Sequence, residues 1–81
     1  MKLYFENSNG ERRIIAECKT ENEVYNAINA FILTCNRNKP KDKQFKTHYI
    51  RSWTDTDENK KLRTWYDVGS WSEFFFTVEE D

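Results

Sequence analysis

The chain has 81 residues, with 13 Lys and Arg against 14 Asp and Glu, and only two Gly and one Pro. That length predicts a single domain, residues 1–81, with a thin core, and it leaves no room for a two-domain enzyme with its own cofactor fold. The 13 aromatic residues outnumber the 11 Ile, Leu and Val, so the core is expected to consist largely of rings.

Membrane and secretory classes are not favoured. The chain has no apolar run of about 18 residues, and its first six residues lack the apolar stretch of a signal peptide. Two cysteines, Cys18 and Cys35, are too few for a disulfide framework. The sequence therefore predicts a cytoplasmic protein with reduced thiols, with a single disulfide as the alternative.

A β-hairpin is predicted at the start of the chain. Residues 2–6 alternate, with Leu3 and Phe5 on one face and Tyr4 on the other. An Asn-Gly pair follows, which is typical of a tight hairpin turn. Residues 12–18 then form the returning strand.

A helix follows the hairpin. Thr20 and Glu23 have the spacing of a capping box, in which each side chain satisfies a free backbone N–H group. Pro40 terminates the helical pattern. The apolar residues that follow the cap recur at helical spacing and form one stripe: Val24, Ile28, Phe31, Ile32 and Cys35.

Three further strands are predicted after Pro40, because the pattern changes from helical to alternating. They cover residues 45–53, 61–68 and 71–78, with a polar turn at 54–60. The predicted fold is an α+β domain of order ββαβββ, in which one helix packs on one face of a mostly antiparallel sheet. The strand order stays open.

Candidate sites for chemistry are weak. Residues 55–59 imitate the start of a calcium loop but lack its glycine and its bidentate glutamate. Cys18, Cys35 and His48 are one ligand short of a structural zinc site and have no CxxC or HxxxH spacing. We therefore predict no enzymatic activity, no metal and no cofactor.

The charge is unevenly distributed, with net +5 within residues 37–63 and net −5 within residues 64–81. A lysine-rich loop beside aromatic strands suits a nucleic acid backbone. The competing interpretation is a solubilising loop that protects a strand edge, and the overall charge of −1 favours it. The nucleic-acid alternative uses Arg37, Lys39, Lys41, Lys43 and Lys46.

Large rings are expected on both faces of the sheet, although one helix shields only one face. If Leu62, Tyr66, Phe74 and Phe76 face the helix, then neighbouring rings must point away from it. Exposed Trp, Tyr and Arg are typical of interfaces, either with a partner protein or in a homodimer. The predicted partner-binding residues are Tyr49, Arg51, Trp53, Arg63, Trp65, Trp71 and Phe75.

Two segments carry a resemblance to a known group of proteins. They are the Tyr-x-Arg-Ser-Trp segment at 49–53 and the Tyr-Asp-Val-Gly-Ser and Glu-Phe-Phe segments within 66–75. With these segments and its first seven residues, the chain resembles small proteins encoded by phages and prophages of Gram-positive bacteria. The lysine-rich residues 37–44 are a departure from that group.

The resemblance implies a context but no activity and no site residues. Small phage-encoded cytoplasmic proteins commonly occupy a surface of a host protein, and inhibitors of CRISPR and other defence systems are among them. The resemblance thus implies an anti-CRISPR-like inhibitor or modulator that binds a host or defence-system protein stoichiometrically. The alternative is a nucleic-acid-binding accessory protein that uses the lysine-rich segment 37–51.

Overall fold

One helix and five strands follow one another in the predicted order. The structure is a computed structural model that describes residues 1–45, 51–69 and 72–79. A short 3-10 helix, Lys41–Lys43, lies between the α-helix and the third strand. The elements are β1 (Lys2–Glu6), β2 (Arg12–Glu17), α1 (Glu21–Asn36), β3 (Arg51–Thr56), β4 (Leu62–Asp67) and β5 (Phe74–Val78).

The five strands form one antiparallel sheet of order β2-β1-β5-β4-β3. The first and last strands therefore lie side by side, with Phe5 opposite Phe75. β5 also pairs with β4, where Tyr66 lies opposite Phe75. The predicted α+β fold with a single helix and an antiparallel sheet is confirmed.

The β1–β2 and β3–β4 turns use the same local hydrogen bonds. Asn7 Oδ1 accepts from the backbone N–H groups two and four residues later, and Asp57 Oδ1 does the same in the second turn. Each turn ends on a residue with positive φ, which is Gly10 in the first turn and Lys60 in the second. The side chain at the first turn position thus replaces a backbone partner, as in other Asx turns.

Helix α1 starts at the predicted capping box. Thr20 Oγ1 accepts from the Glu23 N–H, and a Glu23 carboxylate oxygen accepts from the Thr20 N–H at 3.1 Å. The Phe31 ring lies against the rings of Phe5 and Phe75, so the apolar stripe of α1 packs on the middle of the sheet. The core contains Leu3, Phe5, Cys18, Val24, Ile28, Ile32, Tyr66, Val68 and Phe75.

The third strand differs from its prediction. The described strand β3, Arg51–Thr56, includes residues 54–56, which therefore belong to the strand and not to the predicted turn. Phe45 lies outside the strands, where its N–H donates to Asn36 Oδ1 at 2.9 Å and its C=O accepts from Asn36 Nδ2 at 3.0 Å. The predicted strand residues 46–50 lie outside the described residues.

The helix covers only part of the sheet. It reaches β4 at Tyr66, whose ring meets the Tyr25 ring edge-on at 5.8 Å. All six residues of β3 are exposed, including those on the helix side of the sheet. Within the described segments, no helix has the length and apolarity needed to cross a membrane.

The candidate interaction surface

The sheet face opposite the helix carries most of the predicted binding residues. Side chains alternate between faces along a strand, and directly opposed residues of antiparallel strands share a face. Because Trp53 lies opposite Trp65, and Trp65 lies opposite Phe76, these rings share one face. The aromatic face, as we name it, includes Tyr4, Glu6, Arg12, Ile14, Arg51, Trp53, Asp55, Arg63, Trp65, Asp67, Phe74, Phe76 and Val78.

Four rings of the aromatic face form a row across the strands. Tyr4 stacks on Phe76 with centroids 4.8 Å apart and planes within 7°. Phe76 contacts Trp65 at 4.8 Å, and Trp65 stacks on Trp53 at 6.2 Å with planes within 11°. The row therefore runs from β1 to the outer strand β3, with each ring on a different strand.

Phe74 lies beside the outer end of this row. Its ring meets both Trp53 and Trp65 edge-on, with centroids 6.0 Å apart in each case. Edge-to-face and stacked pairs are the favoured arrangements of aromatic rings. The contacts fix the two indoles in place, so this part of the surface is preorganised.

Arginines cover the middle of the row. The guanidinium Cζ of Arg63 lies 4.8 Å from the Trp65 centroid, and that of Arg12 lies 5.0 Å from the Phe76 centroid. Cations over ring faces attract the ring quadrupole. As a result Trp65 is 9% exposed and Phe76 only 3%, although the helix lies on the other side of the sheet.

The outer end of the row is more open. Trp53 is 39% exposed, and the Arg51 guanidinium lies 5.6 Å from its ring centroid. Ile14 on β2, opposite Tyr4, is also exposed at the other end of the face. The accessible apolar surface is thus concentrated at the two ends, with arginines between them.

Asp55 links β3 to β4. Its carboxylate accepts two hydrogen bonds from Arg63, both at 2.9 Å, and one from Trp65 Nε1 at 3.1 Å. The Arg63 hydrogen bonds hold the pKa of Asp55 below its ordinary range, and the bond from Trp65 adds to this effect. The same carboxylate raises the pKa of Arg63.

Each arginine of the aromatic face has a carboxylate partner. Arg12 pairs with Glu6 at 2.6 Å, Arg51 with Asp67 at 3.1 Å, and Arg63 with Asp55. The three positive and three negative groups cancel, so the face is close to neutral. It presents rings and paired guanidinium groups without a net field for phosphate.

The structure brings together four of the seven predicted partner-binding residues: Arg51, Trp53, Arg63 and Trp65. Phe75 is a correction, since it faces the helix and is fully buried in the core. Phe74 and Phe76 lie on the aromatic face, so the conditional assignment that turned them toward the helix is wrong. Tyr49 and Trp71 lie outside the described residues.

Sequence reasoning missed Arg12 and the acidic partners of the aromatic face. The available signal was the predicted hairpin. Tyr4 lies on the other face of β1 from Leu3 and Phe5, and Glu6 lies on the same face as Tyr4. Arg12 lies opposite Glu6 in the register of the hairpin, which places it on the same side. Pairing the two strands outward from the predicted turn puts Arg12 opposite Glu6, so the sequence contained the signal for the Arg12–Glu6 ion pair.

The basic segment, as we name residues 37–46, follows α1 and contributes no described residue to the strands of the aromatic face. Arg37, Lys41 and Lys43 are exposed on the C-terminal end of α1 and in the 3-10 helix that follows. Lys39 places its Nζ 4.0 Å from the Phe45 ring centroid. Lys46, the last residue of the nucleic-acid alternative, is outside the described residues.

Other candidate chemistry finds little support in the described part of the chain. No group of three or more His, Cys, Asp and Glu side chains there could hold a metal ion. Cys18 is buried and Cys35 is half-buried, and both are free thiols. Burial raises the pKa of the Cys18 thiol, as does nearby Glu23, so this group is protonated at neutral pH.

These features define a small α+β domain whose antiparallel sheet has a helix on one face and an arginine-capped aromatic surface on the other. Comparisons with protein-family models, with curated proteins and with solved structures gave no match.

Proposed function

We propose that this chain is a binding protein that acts by stoichiometric contact with another protein through its aromatic face. The observation that carries the proposal is the exposed end of the ring row, where Trp53 stacks on Trp65 beneath Arg51. Trp and Arg are the residue types that contribute most to protein interfaces. An anchor that is already held by its neighbours loses little conformational entropy on binding.

The neutrality of the aromatic face favours a protein over a nucleic acid as partner. Arg12, Arg51 and Arg63 already have carboxylate partners, whereas binding to a phosphate backbone depends on unpaired cations. A mixed surface of rings and paired charges suits the core and rim of a protein interface. About 800 Å² per partner is a standard interface, which a domain of this size can supply.

The proposed partner class comes from the resemblance to phage and prophage proteins. That resemblance implies a host or defence-system protein as target, and an inhibitor or modulator of anti-CRISPR type as the role. A rigid domain with one preorganised face suits inhibition by occupation of a surface, because it needs no chemistry of its own. The proposed site of action is the host-cell cytoplasm.

A nucleic-acid-binding role through the basic segment is the second candidate. The observation in its favour is that Arg37, Lys41 and Lys43 are exposed and form no ion pair with a described residue. Binding that depends on such cations weakens steeply with salt, since phosphate neutralisation releases counterions. The two candidates therefore differ in their response to salt and to nuclease.

Two matched variants test the proposal. Tagged wild-type protein, Trp53→Ala and Leu33→Ala are incubated with lysate of a Gram-positive bacterium at about 0.15 M salt, with and without nuclease. Leu33 is 61% exposed on α1, so its variant removes a similar exposed apolar side chain elsewhere. We expect a stoichiometric protein band with the wild type and with Leu33→Ala, and its loss with Trp53→Ala.

The captured protein is then purified and titrated against all three forms by calorimetry. A truncated hot-spot tryptophan is expected to cost about 2 kcal/mol or more, which is at least about a 30-fold loss of affinity. Equal affinity of Trp53→Ala and Leu33→Ala would contradict the proposal. Capture that disappears with nuclease would favour the basic segment.

A further inference from the structure

The outer edge of β3 is the most exposed strand edge of the described sheet. All six residues of β3 are exposed, and its one strand neighbour is β4. Backbone N–H and C=O groups on the other side therefore have no strand partner among the described residues. Such an edge is a template for pairing with another strand.

The two outer strands of the sheet differ in how they are protected. The register of β2 with β1 shifts between Leu3 and Tyr4, and such bulges disturb strand pairing. β3 pairs with β4 over six consecutive residues without a shift. Neither outer strand contains a proline or a lysine, the residues that commonly block strand edges, so the bulge is the difference between them.

We propose that β3 pairs antiparallel with β3 of a second copy of this chain, with Trp53 on the two-fold axis. This register places Arg51 of each copy opposite Asp55 of the other. It also places the two Trp53 side chains directly opposite each other. The strand is thus self-complementary in charge, and oppositely charged or aromatic cross-strand pairs stabilise antiparallel sheets.

Other registers lose this complementarity. A two-fold axis between two residues would put the aromatic face of one copy beside the helix side of the other, because opposed residues share a face. An axis on Thr54 would place Trp53 opposite Asp55, and an axis on Ser52 would place it opposite Arg51. Only the axis on Trp53 forms both charge pairs and the pair of rings.

The existing contacts leave room for the second copy. The Arg51 side chain is 64% exposed and that of Asp55 is 42% exposed, although each already has a partner on β4. In the dimer the Arg51–Asp67 and Arg63–Asp55 ion pairs of each copy join into one network across the contact between the two β3 strands. The ring row also becomes continuous, since Trp53 stacks on Trp65 in each copy.

Ser52 and Thr54 provide a test that leaves the aromatic face intact. They lie on the helix side of β3 and are exposed. In the proposed register Ser52 lies opposite Thr54 of the second copy, twice per dimer. The double variant Ser52→Lys/Thr54→Lys therefore sets lysine against lysine, whereas Ser52→Lys/Thr54→Glu sets lysine against glutamate.

The experiment measures mass by sedimentation equilibrium over a hundredfold range of concentration that reaches about 1 mM. The wild type is expected to rise from 9.9 kDa toward twice that mass. The Lys/Lys variant should dissociate about tenfold more readily, because two like-charge pairs oppose each other. The Lys/Glu variant should dimerise at least as well as the wild type.

Three outcomes would overturn the proposal. They are a wild type that stays at 9.9 kDa throughout, a dimer that the Lys/Lys variant does not weaken, and a Lys/Glu variant that is as weak as Lys/Lys. Circular dichroism of all forms and the two single lysine variants separate a lost dimer from a lost fold. The result is independent of the proposed partner protein, because sedimentation is measured on the purified chain alone and the variants leave Trp53 unchanged.

Discussion

At the scale of single residues, Asp55 organises the aromatic face because it binds both Arg63 and Trp65. Its pKa is lowered in the folded state, chiefly by the Arg63 hydrogen bonds. The ionised carboxylate therefore stabilises the fold at pH values above about 4, the ordinary range of the group. This contribution is lost as the pH falls through the lowered native pKa.

We expect Asp55→Asn to lower the free energy of unfolding at neutral pH. We also expect the free energy of unfolding to decrease less in the variant than in the wild type as the pH is lowered. Urea unfolding followed by tryptophan fluorescence, at a series of pH values from neutral to about 2, measures both effects. Asp42→Asn is the matched control, because Asp42 is an exposed carboxylate in the 3-10 helix. An unchanged acid dependence in Asp55→Asn would contradict the assigned role.

The three consecutive phenylalanines of β5 show what the sequence leaves open at this scale. Alternation correctly separates Phe75 from Phe74 and Phe76, but three identical residues do not tell which side faces the helix. The pairing of Phe75 with Tyr66 and Phe5 decides it, and both are contacts between distant parts of the chain.

At the scale of elements, α1 depends on its N-terminal cap. Thr20→Ala removes the oxygen that accepts from the Glu23 N–H, and we expect a loss of about 1 kcal/mol of unfolding free energy. Thr34→Ala is the control in the same helix, because the exposed Thr34 hydroxyl only donates to the Ala30 carbonyl. It should change stability by less than about 0.5 kcal/mol.

Thermal and urea unfolding monitored by helical circular dichroism measure both threonine variants. Equal effects of Thr20→Ala and Thr34→Ala would show that the cap contributes nothing specific.

The helix was predictable because its cap and its apolar stripe are local signals within residues 20–36. The end of β3 was not predicted, because an exposed strand needs no apolar alternation, and residues 54–56 therefore resemble a turn.

At the scale of the whole molecule, β5 joins two otherwise separate hairpins. It lies between β1 of the first hairpin and β4 of the second, in a sheet of order β2-β1-β5-β4-β3. No local sequence pattern predicts this strand order, because the order depends on pairing between strands at opposite ends of the described chain. The Phe31 ring also packs on Phe75, so α1 and both hairpins share this strand.

A chain that ends at Glu73, before β5, is therefore expected to lose cooperative unfolding, since isolated hairpins are marginally stable in water. A chain that ends at Glu79 is the control, because it keeps β5 and the bond from the Glu79 N–H to the Leu62 carbonyl. Circular dichroism during thermal unfolding distinguishes the two. A peptide of residues 74–81 should restore the transition when added to the shorter chain. A cooperative transition in that chain alone would show that the hairpins associate without β5.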